Sequence, residues 1–205
     1  RASATQAFTA DLFRSINPDA AAGLDNRLLL QVLQDGEAKL KERASLQPLL
    51  AVELFETLSA SYDSLSREGD AARVLSLAEG HLPLEASSEQ RLRLALRRCE
   101  HLLANDHWGR ALEACRPSAE EAGRTLGPDH TTTMRLRSSE LFAEAQTSGV
   151  TEALITHQQE LFERASQIDA DSGKIWVQQG KRLASYLVEM KHYEAAGALL
   201  DTVLR

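Results

Sequence analysis

The sequence predicts an all-α fold, a right-handed α-solenoid of antiparallel helix pairs, on three observations. Leu and Ala dominate a hydrophobic fraction of 43%, whereas aromatic residues supply only 5%. A core of small and unbranched side chains suits close-packed helices better than sheet, where β-branched and aromatic residues prevail. Apolar positions recur at spacings of three and four, which puts them on one face of a helix. Finally, one stretch, Val52 to Glu85, reads as a complete helical hairpin, and much of the chain looks like an imperfect copy of it.

In that stretch Phe55, Leu58, Ser59 and Tyr62 share one face of a first helix, and Ala71, Leu75 and Ala78 share one face of a second. Ser66 to Asp70 is the expected polar turn, with Gly69 able to end the first helix. Pro83 closes the unit, because proline disfavours helix in the residue before it. Small side chains at Ser59 and Ala71 let the two backbones approach, while Phe55, Tyr62 and Leu75 fill the space around the contact. This resembles the tetratricopeptide pattern, W-x2-L-G-x2-Y, then A-x3-F, then P, on a period of about 34 residues. Here Phe stands for Trp, Ser for Gly and Leu for Phe. An ordinary helical hairpin is the plain alternative.

A chain of 205 residues suffices for one or two ordinary domains, but repeat stacks grow by adding units. We expect a single helical repeat domain over 1–205. Flanking helices would occupy 1–45, and helix pairs 46–85, 86–127, 128–169 and 170–205. The formal charge is −7, from 30 acidic and 23 basic residues. Such a surface repels a phosphate backbone, so nucleic acid is not the expected partner. No apolar run approaches the length of a membrane span, so this segment is not expected to insert in a bilayer. The chain begins at an arginine without a signal-peptide pattern, as a piece of a longer protein would. Cys99 and Cys115 make neither a disulfide framework nor a zinc site. They could face one another across a hairpin; small core residues are the plainer reading.

Taken in order, residues 3–16 read as a helix with Phe8, Leu12, Phe13 and Ile16 on one side, stopped at Asn17-Pro18. A second helix, capped by Asp25 or Asn26, runs to about Ala44 and carries Leu29, Val32, Leu33 and Leu40. Ser45 opens the next, with Pro48 in its first turn, and its partner runs from Asp70 to about His81. Ser87 or Ser88 caps a third pair, whose stripe is Leu92, Ala95, Leu96, Cys99, Leu102 and Leu103. Asn105-Asp106 is its turn, Trp108 and Ala111 begin the return helix, and Pro117 should kink it. Leu126 to His130 (LGPDH) resembles the linker of the longer repeats related to kinesin light chain. Thr131 to Gln146 and Val150 to Ile168 follow as a pair around a Thr147-Ser148-Gly149 turn. Glu140 and Glu144 there hold places that family members fill with apolar residues. Asp169 to Ser172 caps the last pair, with Gly180, Leu183, Ala184 and Leu187 on one helix and Ala196, Leu200 and Val203 on its return. That apolar return face at the end of the chain makes the last pair a possible contact between copies.

No chemistry-bearing constellation appears. The six histidines form no H-x-x-x-H or H-E-x-x-H pattern. There is no phosphate-binding glycine loop and no G-x-S-x-G elbow. Catalytic, cofactor-binding and metal-ligating residues are therefore all expected to be none, and no cofactor is expected. A deep pocket of converging ionisable groups would argue otherwise. What remains is a surface. The resemblance implies that first helices line a concave groove for a protein or peptide. Its face would carry Glu53, Glu56, Ala60, Asp63 and Ser64, then Arg93, Leu96, Glu100 and Leu103, then Gln178, Lys181, Ser185 and Glu189. Some family members clamp a chaperone's terminal carboxylate with Lys and Asn where this chain has Glu56 and Ala60. Glu56 would repel that group; a basic or mixed segment suits the acidic face better.

A wider resemblance spans the whole segment, most specifically residues 8–85. Phe8, Asp11, Leu12, Phe13, Pro18, Asp35, Gly36 and Pro48 resemble the start of the tetratricopeptide region of bacterial eukaryotic-like serine/threonine kinases. Some membrane-bound winged-helix regulators share that region. The resemblance implies a non-catalytic interaction or sensor module of a membrane-anchored signalling protein, lying outside the cytoplasm if the kinase arrangement holds. A cytoplasmic module, a self-association or scaffolding module, and the effector region of a transcriptional regulator are the alternatives.

Overall fold

The computed structural model describes residues 26–168 and 173–203. The expected helix at 3–16, its Asn17-Pro18 stop, the cap at Asp169 to Ser172 and the chain end at Arg205 lie outside them. The described residues form nine α-helices and no strand. They are α1 (Asn26–Arg43), α2 (Pro48–Ser64), α3 (Glu68–His81), α4 (Ser88–Ala104), α5 (Trp108–Thr125), α6 (Thr131–Ser148), α7 (Glu152–Gln167), α8 (Gly173–Glu189) and α9 (Tyr193–Val203). A single 3-10 turn, Ala44–Leu46, joins α1 to α2. The chain divides into two compact units, Arg1–Ala86 and Ser87–Arg205. Among the described residues no helix is long and apolar enough to cross a membrane.

In the first unit α1 packs on the α2–α3 hairpin. Pro48 is the first residue of α2, where its missing amide hydrogen costs nothing. Phe55, Leu58, Ser59, Tyr62, Ala71 and Ala78 are all buried, so the small–large pattern of the sequence is the core of this hairpin. Gly69 does not end α2 as expected; it lies in the first turn of α3. The left-handed residue is Ser66, with φ 55°. The turn closes when the Arg67 N–H donates back to the Tyr62 carbonyl at 2.9 Å, the C-terminal motif that normally favours glycine. Asp106 and Lys191 repeat this device with φ 58° and 64°. There the following residues, His107 and His192, donate to Leu102 and Leu187 at 2.9 and 2.8 Å.

Polar groups fix α1 to this hairpin. Glu37 is 4% exposed. Arg73 of α3 reaches both of its carboxylate oxygens, Nη2 to Oε2 at 2.9 Å and Nη1 to Oε1. Lys41 Nζ lies 2.6 Å from Oε1, and the Tyr62 hydroxyl donates to Oε2 at 3.4 Å. Burial works to raise the Glu37 pKa, but the hydrogen bonds and charges of Arg73 and Lys41 outweigh it and hold the carboxyl below its ordinary range. Burial first, and the Glu37 charge next, push the Tyr62 hydroxyl up to about 12.

In the second unit the hairpins α4–α5, α6–α7 and α8–α9 follow one another, with α5 packed on α6 and α7 on α8. Ser87 caps α4 through a full capping box with Gln90, worth about 1 kcal/mol. Helix α5 runs through Pro117 to Thr125. One register unites all four hairpins. Ser59, Cys99, Ala143 and Ala184 are buried on the first helices. Twelve positions after each stand Ala71, Ala111, Ile155 and Ala196 on the return helices. Glu140 and Glu144 hold apolar places because α5 supplies a cation. Arg116 donates to Glu140 at 3.2 Å and to Glu144 at 3.4 Å, and Arg137 to Glu140 at 2.9 Å.

Cys99 and Cys115 satisfy both sequence readings. Each is fully buried, free, and in the same core cluster. The hydrogen bond with Cys115 and then burial push the Cys99 thiol up, away from thiolate formation. Neither thiol is expected to react with an aromatic disulfide reagent in the native chain, while both react in guanidinium chloride. Prompt native labelling of either residue would contradict this packing.

Candidate protein-binding groove

The first helices α4, α6 and α8 lie side by side in the second unit. Their shared face forms a shallow trough of about 300 Å³ lined by Glu100, Leu103 and Ala104 of α4, Ser139 and Phe142 of α6, and Gln178 and Arg182 of α8. A second hollow, with Val177, Gln178, Lys181 and Arg182, extends it along α8. Gln178 and Arg182 belong to both, so the two form one continuous surface.

Arg182 organises the trough. Its guanidinium lies 4.4 Å over the Phe142 ring, and its Nη1 donates to the Ser138 carbonyl at 2.6 Å and to Ser138 Oγ at 2.7 Å. Phe142 in turn meets Trp108 edge-on at 5.7 Å between ring centroids. A cation over an aromatic face gains roughly 0.5–2 kcal/mol, more as water is excluded. Burial pulls the Arg182 guanidinium below the ordinary arginine value. Tyr186, one turn further along α8, is pushed up to about 12 by burial. Across the trough Arg135 pairs with Glu100, which Arg97 also approaches at 3.9 Å. Cations therefore outnumber carboxylates here, Arg97, Arg135, Lys181 and Arg182 against Glu100.

Of the residues expected on the groove, Glu100, Leu103 and Gln178 come together in the trough, and Lys181 extends it. Arg93 is half-buried on α4; Ser185 and Glu189 are exposed on α8. Leu96, expected on the same face, is 2% exposed and belongs to the core cluster instead. On α2, in the other unit, Glu53, Ala60 and Ser64 are exposed and Glu56 and Asp63 half-buried. Sequence reasoning missed Arg135, Ser139, Phe142 and Arg182. Three of these lie on α6, whose register is hidden because Ile155 replaces the alanine that marks it elsewhere. The signal was present: Phe142-Ala143 repeats Leu58-Ser59.

No protein-family model matches the chain, and no curated protein matches it. Among solved structures it is similar to BtubC (BKLC) from P. vanneervenii, with a TM-score of 0.69 at 14% identity over 98% of this chain and 80% of that one. It is also similar to a putative kinesin light chain of P. anserina with nearly identical TPR-like repeats, with a TM-score of 0.64 at 15% identity over 93% and 92%. Together with the helix pairs these likenesses define an all-α, tetratricopeptide-like repeat fold, an α-solenoid.

Proposed function

We propose that this chain is a non-catalytic protein-interaction module whose ligand lies along the α4–α6–α8 trough. The carrying observation is the Arg182–Phe142 pair, a cation over a ring that Trp108 braces edge-on, beside the exposed Gln178 and Lys181. The excess of cations in the trough favours a segment that brings carboxylates, whereas the α2 face, with Glu53, Glu56 and Asp63, favours basic or mixed segments. The net charge of −7 supports a protein rather than nucleic acid as partner. A photocrosslinking group at Gln178 in the full-length protein should capture a defined partner, and Lys181→Glu should abolish capture. Deletion of residues 1–205 without effect on signalling, and no captured partner, would overturn the reading.

The parent is proposed to be a membrane-anchored bacterial serine/threonine kinase with this module outside the cytoplasm. The resemblance of residues 8–85 supports this, and an effector region of a membrane-bound regulator is the alternative. The full gene decides it: a kinase domain and one apolar span upstream are expected. Self-association has its own support, since Val188 and Tyr193, at the α8–α9 turn, are 48% and 63% exposed. A mass that stays monomeric at all concentrations in light scattering would remove it.

A further inference from the structure

The hairpin α6–α7 is built differently from the others. Where they set Ala71, Ala111 and Ala196, it sets Ile155, 6% exposed. A β-branched side chain at the contact position keeps the two backbones apart, and α6 and α7 touch less than the helices of any other hairpin. Helix α7 is held from the other side, by α8. Gln158 Nε2 donates to Gln179 Oε1 at 2.7 Å, and Phe162 stacks on Trp176 at 5.6 Å. The space left between α6 and α7 is a cleft of about 410 Å³. That is the size of a small-molecule site, and it lies apart from the trough residues.

Its floor is apolar, formed by Leu141, Leu154 and Leu161, which are at most 9% exposed. Its rim carries Glu140, Glu144 and Glu160 against Arg137, Arg164 and His157. The arginines are already engaged, Arg137 by Glu140 at 2.9 Å and Arg164 by Asp129 at 3.1 Å. Among the described residues no cation pairs with Glu160. Thr133 also lines the cleft, is 2% exposed, and its hydroxyl has no hydrogen-bond partner. A buried hydroxyl left unpaired is costly, but this oxygen is closed off from solvent, so an entering group reaches it only if the cleft wall moves.

We propose that the α6–α7 cleft binds a small aliphatic organic cation. Its hydrocarbon body would lie on the three leucines. Its ammonium or guanidinium head would meet Glu160 at the rim. An anion of the same shape would face Glu160 and find both arginines occupied. The test is a titration of the ¹⁵N-labelled full chain with n-hexylguanidinium, with hexanoate as the anion of similar size. Saturable shifts are expected at the amides of Leu141, Leu154 and Glu160, with none at Glu100 and Gln178 and none with hexanoate. Glu160→Gln, a surface change that leaves the core intact, should weaken the binding several-fold. Absence of saturable shifts at the cleft, an equal response to hexanoate, or unchanged affinity in Glu160→Gln overturns the assignment. The trough reading is untouched by either result, because its residues serve as the silent control.

Discussion

Arg73→Met is expected to lower the stability of the first unit by about 3–5 kcal/mol at pH 7, read as a shift of the urea midpoint in far-UV circular dichroism. The cost comes from the carboxylate left behind, not from the arginine removed. Glu37 is buried, and Arg73 alone reaches both of its oxygens. Lys41 remains as a cation at 2.6 Å, and Arg73 is itself 44% exposed, so solvent already screens the pair that is lost. The value should therefore fall near the lower bound of the range. The sign with pH follows from the wild-type carboxyl. Its folded pKa is held below the unfolded value, so the pair stabilises above that value and its contribution fades as pH falls through the folded pKa. In the variant the remaining burial raises the same pKa, and protonation relieves the penalty. The difference between wild type and variant should thus be widest at neutral pH and narrow below about pH 4.5. Adding Glu37→Gln to Arg73→Met should recover part of the loss, since a neutral amide costs less to bury than a lone charge. A deficit independent of pH would show that Arg73 acts by packing alone.

That pair also marks where the sequence stops being legible. The hairpin of α2 and α3 can be read directly, because Phe55, Leu58, Ser59, Tyr62 and Ala71 obey a local rule that each hairpin must satisfy by itself. The contact of Glu37 with Arg73 spans 36 positions and leaves no periodic trace. Glu140 and Glu144 misled for the same reason: each reads as a charge on an apolar stripe until Arg116 of the preceding helix is placed beside it. The turns show a different failure. Gly69 had the composition of a helix stop, but Ser66, Asp106 and Lys191 take the left-handed conformation, because two backbone hydrogen bonds per turn offset the roughly 1 kcal/mol that a side chain costs there. The trough was half legible. Glu100 and Gln178 follow from register on α4 and α8, but α6 lost its register at Ile155, and with it the central Phe142.

Gly180→Ala is expected to destabilise the last hairpin by about 1–3 kcal/mol, although alanine is the better helix former. A propensity argument alone predicts the opposite sign, a gain of about 0.8–1 kcal/mol for an interior helical position. The space at this position decides against it. A Cβ on Gly180 would lie 2.5 Å from Val203 Cγ2 and 3.0 Å from Phe162 Cε2. Carbon atoms settle at about 3.5–4.0 Å, so one neighbour must move by an ångström or more. Phe162 has little freedom, being stacked on Trp176. Val203 is the easier to displace, and moving it loosens α9 from α8. Only Trp108 and Trp176 carry indole in this chain, and Trp176 sits against the strained ring. Tryptophan fluorescence should therefore report the loss as a lower thermal midpoint, by about 2–4 °C per kcal/mol for a chain of this size. Val203→Ala in the Gly180→Ala background should restore part of it by opening the clash. A rise in the midpoint for Gly180→Ala alone would mean that α9 yields without cost, and that the glycine is there for reasons other than close approach.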